Sequence, residues 1–289
     1  MQDLMDLFVG CGQELSNNQT FAAMIGSIVA IMFANKKSRK DITDAIKGKV
    51  LSEVSLELLN KGVISYKEFV ECDNFMKIAE IADKMMDENQ KIEWDKFDIN
   101  EFFRFYNVAS QVTDEDMQIL WANILKHETE GNSPTMTLLH SMSMMTRRDS
   151  EVFIMLSRLA FREWKSTDVH PLIFYSRNRE WYEKYYTGIK FQDLKRLERL
   201  GLIIYSNEEF VFKERKTLLY GNNEIKVYGD VSNQNKILAG NVVFTIDGEY
   251  LYNLISYDRI APDPQVLEYV IDKLLSRRCR IICNNIPIS

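Results

Sequence analysis

Cysteine, glycine, proline and histidine are all scarce in this chain of 289 residues. The four cysteines are Cys11, Cys72, Cys279 and Cys283, and only the last two lie close together, as Cys-Arg-Ile-Ile-Cys. No second pair and no neighbouring histidine completes a tetrahedral zinc site, so no metal is expected, and the thiols read as free side chains of a reducing compartment. Twelve glycines and five prolines are roughly half of the usual share of about 12%. So few chain breakers favour long helices over a many-turned β-sandwich. The three histidines are His127, His140 and His170. His127-Glu128 does not extend to a zincin motif, because position 131 is glycine. Gly10-Cys-Gly12 is too short for a phosphate loop and lacks the following lysine and hydroxyl. With no nucleophile–base pair near in sequence either, no cofactor and no enzymatic activity are expected.

The N-terminus has no basic flank and no small-residue cleavage site, which predicts a cytoplasmic protein. Phe21–Ala34 is the longest uncharged apolar run, and Lys36, Lys37, Arg39 and Lys40 follow it. Fourteen residues fall short of the ~20 that a spanning helix needs, so a buried helix with a solvated basic end is expected. Peripheral membrane association through Phe21–Ala34 is the alternative, since that cluster would suit anionic headgroups.

Hydrophobic residues make up 46% and charged residues 27%, an ordinary globular balance that excludes intrinsic disorder. The net charge of −6 argues against a surface built throughout for nucleic acid. The charge is uneven. Residues 1–146 hold 14 basic and 23 acidic side chains, residues 147–216 hold 15 and 11, and residues 217–289 hold 7 and 8.

Apolar periodicity makes the first part helical. Asp41–Asn60 spaces Ile42, Ala45, Ile46, Val50, Val54, Leu58 and Leu59 as one helix before Gly62, and Ser65–Asn89 carries another. Thr113 is placed to cap a helix with the stripe Met117, Leu120, Trp121, Ile124 and Leu125. Ser133-Pro134 predicts the start of the next, and Thr146-Arg-Arg-Asp149 the start of a third, with Val152, Phe153, Leu156, Leu159 and Ala160 on one face. Further on, Ile189–Leu200 reads as a helix stopped by Gly201. Leu202–Ser206, Glu209–Lys213, Glu224–Tyr228 and Val242–Ile246 read as strands, Asp247–Ile255 and Asp263–Arg277 as helices, and Arg280–Cys283 as a last strand. The fold class expected is mainly α with a smaller α+β C-terminal part: a helical bundle plus a winged-helix-like module. Three domains are expected: an N-terminal helical region over 1–95, a central helical motif domain over 96–165, and the winged-helix-like part over 166–289.

Residues 114–156, DEDMQILWANILKHETEGNSPTMTLLHSMSMMTRRDSEVFIML, resemble the central motif of a bacterial family without assigned chemistry. That family is related to the abortive-infection alpha group and is found among phage-defence and mobile-element genes. The resemblance rests on Leu120-Trp121-Ala122, Ile124-Leu125, Glu128, Ser133, Thr137-Leu138 and the Leu156 face after Asp149. A Gly-Leu-Ile turn and a Thr-x-x-Gly-x-x-Leu element, here Thr245-Ile-Asp-Gly248-Glu-Tyr-Leu251, complete it over residues 95–283. It singles out Trp121 and Glu128, implies a host-protective role through protein–protein contacts, and supplies no catalytic residue. On the residues alone, Trp121 reads as core and Glu128 as a capping or ion-pairing group.

The expectation is therefore a non-enzymatic interaction protein of an anti-phage, abortive-infection type system, acting on a protein partner or on itself as a homo-oligomer. A nucleic-acid-binding winged helix is the alternative, and a membrane-acting effector using residues 21–34 is another. The nucleic-acid candidates are Arg177, Arg179, Trp181 and Tyr185, where aromatics interleave with basic groups, and Lys195, Arg196 and Arg199 on the following helix.

Overall fold

The computed structural model describes residues 25–26, 28–29, 32–33, 41–42, 44, 49–86, 99–129, 134–166, 168–173, 188–212, 215–230, 234–255 and 260–288. They fall into two compact units, 1–134 and 135–289. The boundary expected near residue 95 lies inside the first unit, and that near 165 inside the second.

Unit 1 is helical throughout its described secondary structure. Its named helices are α1 (Leu51–Asn60), α2 (Tyr66–Met85), α3 (Ile99–Ala109) and α4 (Glu115–Thr129). The single helix expected over 41–60 is interrupted: Lys49 and Val50 are not helical, and extended Val50 stands at the N-cap of α1. Helix α2 begins with a capping box in which the Ser65 N–H donates to Glu68 Oε2 at 2.9 Å. It buries Cys72, Phe75, Met76, Ala79 and Ala82, one stripe at helical spacing. Phe75 meets Phe102, Phe105 and Tyr106 at 5.6, 6.4 and 5.0 Å, and Phe105 meets Trp121 at 5.3 Å. This aromatic cluster joins α2, α3 and α4 into one core. The cap of α4 is Asp114, whose carboxylate accepts from the Met117 N–H at 3.1 Å, one residue later than the Thr113 cap expected. A carboxylate at a helix N-terminus satisfies an orphan donor and meets the positive end of the dipole.

Unit 2 opens with α5 (Met136–Ser143) and α6 (Arg147–Ser157). Thr135 caps α5 through the Leu138 N–H at 3.0 Å, which moves the start two residues on from Ser133-Pro134. Thr146 and Asp149 form the expected capping box of α6. Leu159 and Ala160 do not continue that helix. The chain leaves it at Ser157 and enters β1 (Ala160–Glu163). Next come β2 (Val169–Pro171), α7 (Phe191–Arg199), β3 (Ile203–Tyr205), β4 (Val211–Phe212), β5 (Lys216–Tyr220) and β6 (Asn223–Tyr228). The unit ends with β7 (Ile237–Leu238), β8 (Val242–Phe244), α8 (Ile246–Leu254), α9 (Pro264–Ser276), β9 (Arg280–Cys283) and β10 (Ile286–Ile288).

A six-stranded antiparallel sheet runs in the order β10-β9-β6-β5-β1-β2. Strands β5 and β6 close a hairpin around Gly221-Asn222, with Tyr220 opposite Asn223. Separately, β3 pairs with β8 and β4 with β7, each as a two-stranded antiparallel sheet. The described part of the chain is thus mainly helical, with antiparallel β-structure confined to unit 2.

Candidate functional site

Helix α7 and the elements that hold it carry three of the residues singled out in the sequence. Its C-terminus is a Schellman turn: the Gly201 N–H donates to Glu198 O at 2.9 Å and the Leu202 N–H to Leu197 O at 3.1 Å. Gly201 sits at φ +71°, a conformation that costs other residues a Cβ clash. The Thr-x-x-Gly-x-x-Leu element locks onto this turn. Thr245 Oγ1 donates to Gly201 O at 2.6 Å and accepts from the Gly248 N–H at 3.0 Å, while the Thr245 N–H donates to Leu202 O at 3.1 Å. One threonine therefore caps α8 and satisfies the end of α7. The Gly-Leu-Ile turn and the Thr-x-x-Gly element meet in space and form one latch.

The positive side chains of α7 are largely committed within the chain. Arg196 Nε donates to Asp149 Oδ2 at 3.3 Å and its Nη2 to Met144 O at 3.0 Å. Lys195 Nζ donates to Glu198 Oε2 at 2.8 Å and lies 4.7 Å from the Tyr205 ring centroid. Asp193 receives Arg148 Nη2 at 2.7 Å, which ties α7 to α6 a second time. Arg199 is exposed and has no such partner among the described residues. Of the three cations expected to face a phosphate backbone, two hold the fold together. Apolar groups occupy the surface beside them: Phe191 is 43% exposed and Ile204, in the middle of β3, is 49% exposed. Phe191 packs edge-on against Tyr205 at 5.5 Å. The other four nucleic-acid candidates, Arg177, Arg179, Trp181 and Tyr185, lie outside the described residues.

Trp121 and Glu128 are buried in unit 1, seven residues apart on the same face of α4. Trp121 reads as core, as its stripe predicts, and its indole Nε1 meets no acceptor among the described residues. Glu128 sits in the last turn of α4 with only 4% exposure. Neither offers a surface to a partner. Within residues 21–34, Ile25, Ile28, Val29 and Phe33 are buried and Met32 is half-buried. No helix among the described residues is long and apolar enough to cross a membrane. Of the cysteines, Cys72 has its thiol pushed up to about 12 by burial, reinforced by Asp73. Burial also raises Cys279 and Cys283, so thiolate chemistry is suppressed at neutral pH. Among the described residues no group of three or more His, Cys, Asp or Glu side chains could hold a metal ion.

Sequence reasoning missed a polar cluster on β1, β2 and β5. Glu163 accepts from Lys216 Nζ at 2.6 and 2.7 Å and lies 3.2 Å from His170 Nε2, whose ring stands edge-on to Phe212 at 4.7 Å. The signal available was the Gly221-Asn222 hairpin turn, which marks Lys216–Tyr220 as the partner of Glu224–Tyr228. Burial pulls the Glu163 carboxyl upward, but the hydrogen bonds from Lys216 and His170 outweigh it and hold it below the usual range. Glu249, on α8, goes the other way: burial raises it, and the neighbouring Asp168 adds to that against the Val169 N–H.

These opposite shifts predict opposite pH effects. Glu163 contributes stability that is complete above the unfolded carboxyl pKa and lost as pH falls through its lowered native value. Ionised Glu249 costs stability at neutral pH, and that cost is relieved as pH falls through its raised native value. Glu163→Gln is therefore expected to lower stability by about 1.5–3 kcal/mol at pH 7, as losing hydrogen bonds to a charged group does. Glu249→Gln is expected to raise the Tm at pH 7 by a difference that shrinks towards pH 4, whereas the Glu163→Gln difference holds down to the unfolded carboxyl pKa of about 4.3 and shrinks only below it. Thermal melts of the two variants across that range check the signs, and the same sign for both at pH 7 would refute the assignment.

No curated protein and no solved structure matches the chain. A family model described as "Protein of unknown function (DUF2806)" matches residues 64–262, which run from the start of α2 to the approach to α9 and take in both units. Those 199 of 289 residues are more than half of its length, and the chain belongs to the DUF2806 family.

Proposed function

We propose that this chain is a non-enzymatic interaction protein of an anti-phage, abortive-infection type defence system, working through protein–protein contacts and self-association. The defence setting rests on the resemblance of residues 114–156 and of the Thr245–Leu251 element. The mode of action rests on one observation at α7. Lys195 and Arg196 are spent on Glu198, Asp149 and Met144, whereas Phe191 and Ile204 stand at the surface. Exposed apolar side chains on a rigid helix–strand support suit a protein surface better than a phosphate backbone. A second copy of the chain is the occupant proposed for that surface.

A winged-helix reading keeps one specific support. Helix α7 leads into strand β3, which pairs antiparallel with β8 across the intervening strands β4 to β7, and Arg199 is exposed. Nucleic-acid binding by α7 would be lost in a Lys195/Arg196/Arg199 alanine triple and would weaken steeply with salt.

Size-exclusion light scattering with the absorbance ratio at 260 and 280 nm separates the two. The expected result is a discrete oligomer, carrying no nucleic acid that depends on α7, that shifts to monomer in a Phe191→Asp/Ile204→Asp variant of unchanged circular dichroism. A wild-type monomer, or an oligomer indifferent to that variant, refutes self-association through this surface. Nucleic acid that high salt strips off, and that the α7 triple fails to carry, would install the winged-helix reading instead.

A further inference from the structure

A second basic surface lies on the hairpin β5–β6, away from any motif the sequence shows. Alternation along these strands buries Leu218, Tyr220, Ile225 and Val227 on one face. It leaves Thr217, paired with Lys226, and Tyr228, paired with Arg280, on the other. Arg215, two residues before Thr217, continues that row. A cavity of about 330 Å³ opens there, lined by Arg215, Lys216, Thr217, Lys226 and Tyr228.

The charges around it are unbalanced. The Lys216 ammonium belongs to Glu163. Lys226 Nζ is held by Glu224 Oε1 at 2.8 Å and by Asn285 Oδ1 at 2.9 Å. Arg280 has its guanidinium 4.4 Å from the Tyr228 ring centroid, a cation–π contact that fixes its plane. Neither Arg215 nor Arg280 has a carboxylate partner among the described residues. Arg215, Lys226 and Arg280, on or beside three neighbouring strands, thus have one carboxylate partner among the described residues, Glu224. Two of them are arginines, whose planar fork matches phosphate oxygens, and an aromatic ring stands between them.

We propose that this cleft binds the phosphate of a nucleotide or of a single-stranded nucleic acid, with Arg215 and Arg280 as the phosphate ligands, Lys226 beside them and Tyr228 as their support. Glu224 opposes the ligand, because its carboxylate both neutralises Lys226 and repels an anion.

The sign of that opposition makes the test specific. Binding of adenosine monophosphate and of a fluorescent single-stranded oligonucleotide is measured on the full chain by calorimetry and anisotropy. Wild type is compared with Arg215→Ala/Arg280→Ala and with Glu224→Gln. The arginine double variant is expected to bind at least about tenfold more weakly, the scale of losing charge-assisted phosphate bonds. Glu224→Gln is expected to bind several-fold more tightly, a gain that loss of structure would not produce. Binding of the mononucleotide with no gain for the oligonucleotide identifies a small ligand. Binding of the oligonucleotide alone, with a steep salt slope, identifies a strand. Either result, with the arginine dependence, carries the proposal. No binding of either probe to wild type, or equal binding by the arginine double variant, overturns it.

Discussion

Gly248→Ala is expected to destabilise unit 2 by about 3 kcal/mol, at the upper end of what overpacking costs. A Cβ at this position would be driven into the carbonyl oxygen of Leu202, well inside van der Waals contact, and would also press on the Phe244 ring. The obstacle is backbone, and that backbone is fixed. Leu202 is the residue after the Schellman glycine, its side chain is fully buried, and its carbonyl already accepts from the Thr245 N–H. Relief would require α8 to withdraw from the α7–β3 turn, breaking the Thr245 bonds to Gly201 and Leu202. Thr245→Val leaves room for both helices and removes only the hydroxyl, so a smaller loss of about 1–2 kcal/mol is expected from the cap and its second bond. Urea denaturation followed by hydrogen exchange at α8 and β3 distinguishes the two. A Gly248→Ala variant within about 0.5 kcal/mol of wild type would refute the close approach as a constraint.

The latch also shows which parts of the fold the sequence could and could not express. Local signals came through where the physics is local. Thr146 with Asp149 and the stripe around Trp121 both put a helix where one stands. Where two neighbouring side chains can serve the same donor, the choice was not legible. Asp114 caps α4 in place of Thr113, and Thr135, whose backbone is extended, caps α5 in place of Ser133. The six-stranded sheet was the least visible element. Strand β1 is four residues long, continues a helical stripe from α6, and finds its partner β5 more than fifty residues later. Periodicity carries no information about a pairing so distant. The same holds for the charges of α7. Lys195 and Glu198 pair along one helix, which spacing allows, but Arg196 with Asp149 and Arg148 with Asp193 exist only because α6 and α7 pack together. A row of cations in a sequence is therefore an upper limit on the charge free to meet a ligand. Arg215 and Arg280 drew no notice for the converse reason, since two strands join them across 65 positions of sequence.

Trp121→Ala is expected to cost about 4 kcal/mol, within the range for deleting a fully buried large aromatic. The indole has no exposed surface and packs against Phe105, which packs against Phe75, so its loss opens a cavity where α2, α3 and α4 converge. Trp121→Phe keeps most of the volume and discards only an indole N–H that meets no acceptor among the described residues, so about 1 kcal/mol is expected. Denaturant melts monitored by far-UV circular dichroism measure both. Trp121 is also one of the two positions on which the proposed defence role draws, and the pair of variants tests what that emphasis means. If packing is its whole role, protection in a phage-challenge assay falls with folded protein in Trp121→Ala and survives in Trp121→Phe. A Trp121→Phe protein that folds and melts like wild type but protects no cells would require the indole itself to act. Trp121 would then have to be reached from outside its core, which the packing of unit 1 around it forbids unless α4 moves away from α2 and α3.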